Sequence, residues 1–256
     1  MSSVKRFLEQ IRVYDCGMTK IRIGNPNDGG YIALREICEQ AETVYSFGIG
    51  DDIGFERDFA DRFPQAQMRL FDPGISAPPE NHPSFYFSKQ GALEWYEAGY
   101  SIRPGSLLKM DIEWAEWVFF LSITDKDLLS FSQILVELHL VHAEPRAGLS
   151  PYFQSFYQAA LGKINDRLFT MHGNVLAKIN QYFYAFHIHA NNSLPLISVG
   201  GYAFPPMIEM SFVRKDMVGA AQPTAQSFPV AGLDAPNKTD RPDLLNVYPL
   251  GGIAWA

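Results

Sequence analysis

The chain reads as an α/β fold: a doubly wound, mostly parallel, Rossmann-like sheet with a late antiparallel strand, an N-terminal helix and hairpin, and an irregular C-terminal arm. Three observations predict it. Residues 43–72, TVYSFGIGDDIGFERDFADRFPQAQMRLFD, place an apolar run, a Gly-x-Gly turn, an amphipathic stretch and an acid-ended second run in the order of a βαβ unit. Apolar runs then alternate with helix-period stretches. Finally, two closely spaced runs, 182–190 and 207–213, suit an antiparallel neighbour late in the sheet.

Taken in order, residues 3–12 carry Val4, Phe7, Leu8 and Ile11 at helical spacing and form a short amphipathic helix that caps the sheet. Ile21 and Ile23 alternate as a strand, NPNDGG is a tight turn, and YIAL returns as the second strand of a hairpin. Val44, Tyr45 and Phe47 suit a buried strand, and Phe55, Phe59 and Phe63 recur on one helix face. Residues 84–89 are a third strand, GALEWYEAGY a short helix, and GSLLKMDIEWAEW a fourth strand ending near Asp111. ITDKDLLSF is a helix and residues 133–141 a fifth strand. Residues 150–166 open on Ser-Pro, with an aromatic stripe at helical spacing, and read as a helix. The last two runs are strands joined by a Pro- and Gly-rich loop, and the tail, rich in Pro, Gly, Asn and Asp, is an arm packed onto the domain.

At 256 residues and 47% hydrophobic composition, the chain can bury the core of one large domain. Its parts are a cap and hairpin (1–42), a core (43–218) and the arm (219–256). A formal net charge of -7 excludes a broad cationic face for nucleic acid or anionic lipid. Cys16 and Cys38 are too few for a disulfide framework or a cysteine-built zinc site. The N-terminus lacks a signal-peptide core and no eighteen apolar residues run together, so the expectation is a cytoplasmic protein without membrane contact.

Ligands of open α/β sheets sit outside the carboxyl ends of the strands, where this chain gathers its polar residues. Gly48, Gly50 and Asp51 follow the first core strand. Asp72 ends the second, where a carboxylate can accept hydrogen bonds from a ribose diol. Phe87 and Ser88 end the third, Asp111 the fourth, Glu137 and His139 the fifth, and His187 and His189 the sixth. If the fifth and sixth strands are neighbours, Asp111, Glu137, His139 and His189 form a set for a divalent metal or for proton transfer. Glu113 and Glu116 also suit the dipole of the next helix. Trp95, Tyr96, Trp114 and Trp117 are rings for the core or for an adenine wall.

Taken together, DGGYIAL, VYSFGIGDDIGFE, LFDP, LLKMDIEWAEW, ILVELH, HIHANN and LDAPN make the chain resemble the class I S-adenosylmethionine-dependent methyltransferases, within them the FkbM-like group. The resemblance implies that Gly48 and Gly50 approach the methionine part of S-adenosylmethionine and that Asp72 holds its ribose. It also implies that Phe87 and Ser88 flank adenine and that Asp111 lies beside sulfonium and acceptor. The hairpin bearing Asp28, Gly29, Gly30 and Tyr31 would cover the cofactor. Where the family has Gly in D-I-E-G-A-E, this chain has Trp114: either the helix start is displaced or the ring enters the acceptor site.

The activity so implied is O-methylation of a hydroxyl on a sugar or natural-product-like small molecule, with Asp111, His139 and His189 as catalytic residues. A homo-oligomer is compatible with it. Two alternatives stand beside it: a module that binds the cofactor without turnover, and a nicotinamide-dependent oxidoreductase. The latter ranks last, because Gly54 is displaced from the spacing of a third glycine.

Overall fold

The structure, a computed structural model, describes residues 3–140, 166–199 and 202–244. Helix α1 (Ser3–Gln10) and the two-residue β1 (Tyr14–Asp15) precede the hairpin β2 (Lys20–Gly24) and β3 (Gly30–Leu34). Helix α2 (Arg35–Gln40) leads into the unit β4 (Thr43–Phe47), α3 (Gly54–Arg62) and β5 (Gln67–Phe71). Then come β6 (Phe85–Ser88), α4 (Ala92–Glu97), β7 (Ser106–Met110), α5 (Ala115–Ser122), α6 (Asp125–Leu128) and β8 (Phe131–His139). Beyond them are α7 (Asp166–Tyr182), β9 (Phe183–Ala190), the short pair β10 (Ile197–Val199) and β11 (Tyr202–Phe204), β12 (Met207–Arg214) and β13 (Gln222–Pro223).

Seven strands make the central sheet, in the order β6-β5-β4-β7-β8-β12-β9. The first five pair in parallel, whereas β12 runs antiparallel to both β8 and β9. The expected α/β sheet with one late antiparallel strand is therefore present. It departs from the sequence reading in one respect that matters below: β12 lies between the fifth and sixth strands, so β8 and β9 are not neighbours.

Each face of the sheet is covered by its own apolar layer, because strands buried on both sides alternate between two cores. Leu108, Met110, Ile134 and Val136 pack with Phe7 of α1, Trp95 of α4, Trp117 of α5 and Phe169 of α7. Leu107 and Leu135 pack on the other side with Ile23, Ile32 and Phe59 from the hairpin and α3. The hairpin is also pinned by polar contacts: Leu34 N donates to Gln133 Oε1 at 2.8 Å, and Ser211 Oγ to the Ile32 carbonyl at 2.7 Å.

Several elements differ from expectation. Helix α2 has only six residues and too short an apolar pattern to read. Helix α7 was missed although Leu168, Phe169, His172, Val175, Leu176 and Ile179 are buried at helical spacing. Gly173 interrupts that pattern; it faces α1, where a Cβ would be in ordinary contact with Phe7 Cα at 3.6 Å. Accordingly, α1 docks on α7, with Phe7 and Phe169 edge to face at 5.2 Å. The loop before β12 contains the β10–β11 pair. The helix expected over residues 150–166 falls, but for its last residue, outside the described residues.

Candidate functional site

The turn after β4 brings three strand ends together. Gly48 adopts φ +76°, and a Cβ on it would lie 1.7 Å from the Asp111 carbonyl oxygen, so only glycine lets the turn pass this close to the end of β7. Gly50 adopts φ +50°, and a Cβ on it would meet nothing within 4 Å: the turn presents open space there. Gly50 N donates to Asp72 Oδ2 at 2.9 Å, and Gly74 N to Asp72 Oδ1 at 2.6 Å. The carboxylate that ends β5 therefore lies directly against the glycine turn. Asp51 is exposed at the turn, and Phe87 and Ser88 are half-buried at the end of β6, where Ser88 Oγ donates to Gln90 Oε1 at 2.9 Å.

A buried polar layer beneath the turn escaped the sequence reading. Lys109 is buried and donates Nζ to the Gly48 carbonyl at 3.1 Å, with the Tyr31 ring 5.5 Å away. Glu56 in the first turn of α3 accepts from Ser46 Oγ, and burial pushes its carboxyl above the usual range against the pull of Lys109. The alternation of β7 was the available signal, since it places Lys109 on the same face as Leu107 and Asp111.

The hairpin tip folds over this turn. Asn25 Nδ2 donates to Asp52 Oδ2 at 2.5 Å, and a Cβ on Gly29 would lie 2.8 Å from that same oxygen. A Cβ on Gly30 would strike the Asn25 carbonyl at 2.1 Å. Tyr31 is buried and donates its hydroxyl to Asp111 Oδ2 at 3.3 Å. Asp28 points to the C-terminal arm instead, accepting from Asn237 Nδ2 at 3.2 Å.

Beside Asp111, the top of β8 presents Glu137 and His139, and these three side chains converge, with one donor atom of each lying within 4.8 Å of the others. His139 Nδ1 lies 3.1 Å from Glu116 Oε1, and Nε2 lies 3.7 Å from Glu113 Oε2 and 3.9 Å from Glu137 Oε2. Burial opposes a charge on His139, but Glu116, Glu137 and Asp111 outweigh it and raise its pKa to about 10. Glu137 accepts from Asn191 Nδ2 at 2.6 Å, and burial first, then Asp111, drives its carboxyl well above the usual range.

His189, expected in the same cluster, stands apart. Because β12 intervenes, its register partner is Glu209, which in turn faces Glu137. Its Nδ1 lies 3.3 Å from Glu209 Oε2 and its Nε2 3.1 Å from Asp243 Oδ1, and these partners raise its pKa to about 10 despite burial. His187 Nε2 lies 2.8 Å from Asp234 Oδ1. Both histidines thus hold the arm, whose expected packing onto the domain is observed over its described part.

The four rings considered for an adenine wall belong to the core. Trp95, Trp114 and Trp117 are buried, and Tyr96 packs against the same cluster. Trp114 takes φ +82° and Glu113 φ +57°, immediately before α5 begins at Ala115. Trp114 thus takes a left-handed backbone that a glycine would adopt freely, and its ring lies in the apolar layer.

No family model matches the sequence, and no curated protein matches it. Loose structural overlaps exist. A fibrillarin/Nop5p complex overlaps with TM-score 0.40 at 11% identity, over 68% of this chain and 72% of that one. An rRNA methylase from Streptococcus thermophilus gives 0.33 at 10%, over 70% and 92%. Human N-acetylserotonin methyltransferase, in complex with SAM, gives 0.29 at 11%, over 69% and 48%. Overlaps this loose assign neither a cofactor nor an acceptor to this chain.

Proposed function

We propose that this chain is an S-adenosylmethionine-dependent methyltransferase that acts on a hydroxyl of a small molecule of sugar or natural-product type. One observation carries the reading: the glycine turn after β4, the Asp72 carboxylate and the end of β7 meet at the carboxyl ends of the parallel strands. Gly50 N lies 2.9 Å from Asp72, and Gly48 packs directly on the Asp111 backbone.

The residues present fit such a cofactor. The open space over Gly50 admits a ligand against the backbone, and Asp72 stands where a ribose diol would replace the Gly50 amide as hydrogen-bond partner. Phe87 and Ser88 would flank the base, and the hairpin with Asp28, Gly29, Gly30 and Tyr31, whose tip meets the turn through Asn25 and Asp52, would cover the cofactor. Bound there, S-adenosylmethionine supplies a sulfonium methyl, whose C–S electron pair stays on sulfur as the acceptor oxygen forms the new C–O bond.

The chain's own part is to orient the acceptor and take up its proton. Asp111 is half-buried beside the turn, steadied by the Tyr31 hydroxyl, and is the carboxylate placed to accept the hydroxyl proton. Holding nucleophile and methyl in line at roughly 3 Å contributes several kcal/mol through positioning alone. The strand order also favours this reading over a nicotinamide enzyme, since a dinucleotide sheet runs 3-2-1-4-5-6 without an inserted antiparallel strand. Trp114 lies in the core, so it gives no support to a module whose acceptor side is plugged.

Titration calorimetry with S-adenosylmethionine tests the cofactor site. Binding is expected, and Asp72→Ala is expected to weaken it at least about tenfold, the loss of roughly 1.4 kcal/mol or more of charge-assisted hydrogen bonding to the ribose. No binding to the wild-type chain would refute the reading. Transfer of labelled methyl to a panel of hydroxylated acceptors then tests turnover.

A further inference from the structure

We propose that Asp111, Glu137 and His139 bind a divalent transition-metal cation of the manganese or zinc type, and that this ion holds the acceptor hydroxyl. Only the second half rests on the methyltransferase reading. The ion site stands on its own geometry.

Three features of the cluster point to a cation. The first is the donor set: two carboxylates and an imidazole, all mutually within 4.8 Å. Two ligands on opposite sides of an ion with bonds of about 2.1 Å stand roughly 4.2 Å apart, so small side-chain rotations suffice to close on one. An imidazole in the set favours manganese, iron or zinc over magnesium, and three protein ligands leave positions open for water and substrate oxygen.

The second feature is the support behind each ligand. A metal-bound histidine commonly gives its other ring N–H to a carboxylate, which turns the free nitrogen toward the metal. Here Nδ1 of His139 faces Glu116 Oε1 at 3.1 Å, while Nε2 faces Glu137 Oε2 and Glu113 Oε2. Glu116 is in turn fixed by the Ile112 amide at 2.7 Å. Glu137 is held through Oε1 by Asn191, which leaves Oε2 on the His139 side, and Asp111 is held through Oδ2 by Tyr31. Each ligand residue thus has one atom tied to an outer partner and another left over.

The third is the excess of carboxylates over basic groups, since Glu113, Glu116 and Glu137 all face the one imidazole of His139. Glu116 is fully buried, and its Oε2 has no hydrogen-bond partner among the described residues. Glu209, on the neighbouring strand β12, is the register partner of Glu137 and shares its face. Among the described residues no lysine or arginine lies within ion-pair distance of Asp111, Glu137 or Glu116. Lys109, the nearest buried lysine in sequence, donates to the Gly48 carbonyl. The His139 imidazolium offsets only part of the charge of a buried group of carboxylates, and a divalent ion that takes the place of its proton offsets more.

With the ion present, a hydroxyl bound in an open position becomes more acidic. Asp111 would then serve as ligand rather than as proton acceptor, and the hydroxyl proton would leave to solvent as its oxygen attacks the methyl beside Gly48. The acceptor class that fits offers two adjacent oxygens, such as a sugar diol or a hydroxy acid, one held on the ion by each. His189 is not a ligand in this scheme, because both of its nitrogens are engaged by Glu209 and Asp243.

The test uses the full chain, freed of metal by chelator dialysis and titrated with Mn2+ under electron paramagnetic resonance. One bound Mn2+ per chain is expected. Glu137→Gln and His139→Gln should each weaken it more than about tenfold, with circular dichroism and thermal melting confirming the fold, whereas His189→Gln should leave it unchanged. No Mn2+ binding to the wild-type chain, or equal binding in folded Glu137→Gln and His139→Gln, would overturn the site. S-adenosylmethionine affinity is measured separately by calorimetry, so failure of the ion site and failure of the methyltransferase reading give different results.

Discussion

His172 and Trp114 show at the scale of single residues how burial decides what a side chain does. His172 lies in α7, fully buried, its ring stacked 3.9 Å from that of Trp117, and neither ring nitrogen has a hydrogen-bond partner among the described residues. Burial alone lowers its pKa from 6.5 to about 3. The folded state therefore binds this proton later than the unfolded state does. The stability it confers is whole above pH 6.5 and is lost as pH falls toward 3, at about 1.4 kcal/mol per unit. Urea melts should show about 2 kcal/mol lost to this residue between pH 6.5 and 5, and His172→Phe should abolish that part of the slope. An unchanged slope would mean that the ring is hydrated in solution. Trp114 sets strain against packing. Its left-handed backbone costs about 1–3 kcal/mol, and removing a buried Trp side chain costs about 3–5 kcal/mol. Trp114→Gly is therefore expected to destabilise the fold by about 2 kcal/mol in denaturant melts; a more stable variant would reverse the ranking.

Among the elements, α1 and the C-terminal arm are attached to the sheet from outside, α1 through its packing on α7 and the arm through polar side-chain contacts. Helix α1 is short and depends on α7 for its stability. Phe7→Ala removes a ring that meets Phe169, Phe204 and His172, and should cost about 3–5 kcal/mol in chemical unfolding. The arm is fixed by two histidine–carboxylate pairs and by Asn192, whose Nδ2 donates to the carbonyls of Lys238, Arg241 and Pro242. Asp234 also accepts the Val230 amide at 2.6 Å, so Asp234→Ala strands a buried imidazole donor and a backbone amide together. Each stranded group costs about 1–3 kcal/mol, and limited proteolysis should cut the variant in the arm faster than wild type. Asp234→Asn keeps an acceptor and should be cut at a rate between the two.

Over the whole molecule, the local signals were the readable ones. The hairpin, the opening βαβ unit and the strands of the sheet were legible because periodicity and turn glycines act within a few residues. So were the glycine turn and Asp72, which follow each other along one βαβ unit. Helix α7 was obscured by Gly173, which breaks the apolar pattern on the side that faces α1, far away in sequence. The cluster was half legible: Asp111, Glu137 and His139 end adjacent strands, whereas His189 was wrongly grouped with them because strand order is not written in any local pattern. Nor could the buried Lys109, or the Glu116 support behind His139, be found without knowing which faces meet. By itself the sequence determined the class of fold, the glycine turn after β4 and the acid beside it, since these depend on neighbours along the chain. Tertiary structure alone decided that β12 inserts beside β8, which separates His139 from His189. The reason is that strand pairing is won by backbone hydrogen bonds and burial summed across distant segments, and no residue carries that sum in its own neighbourhood.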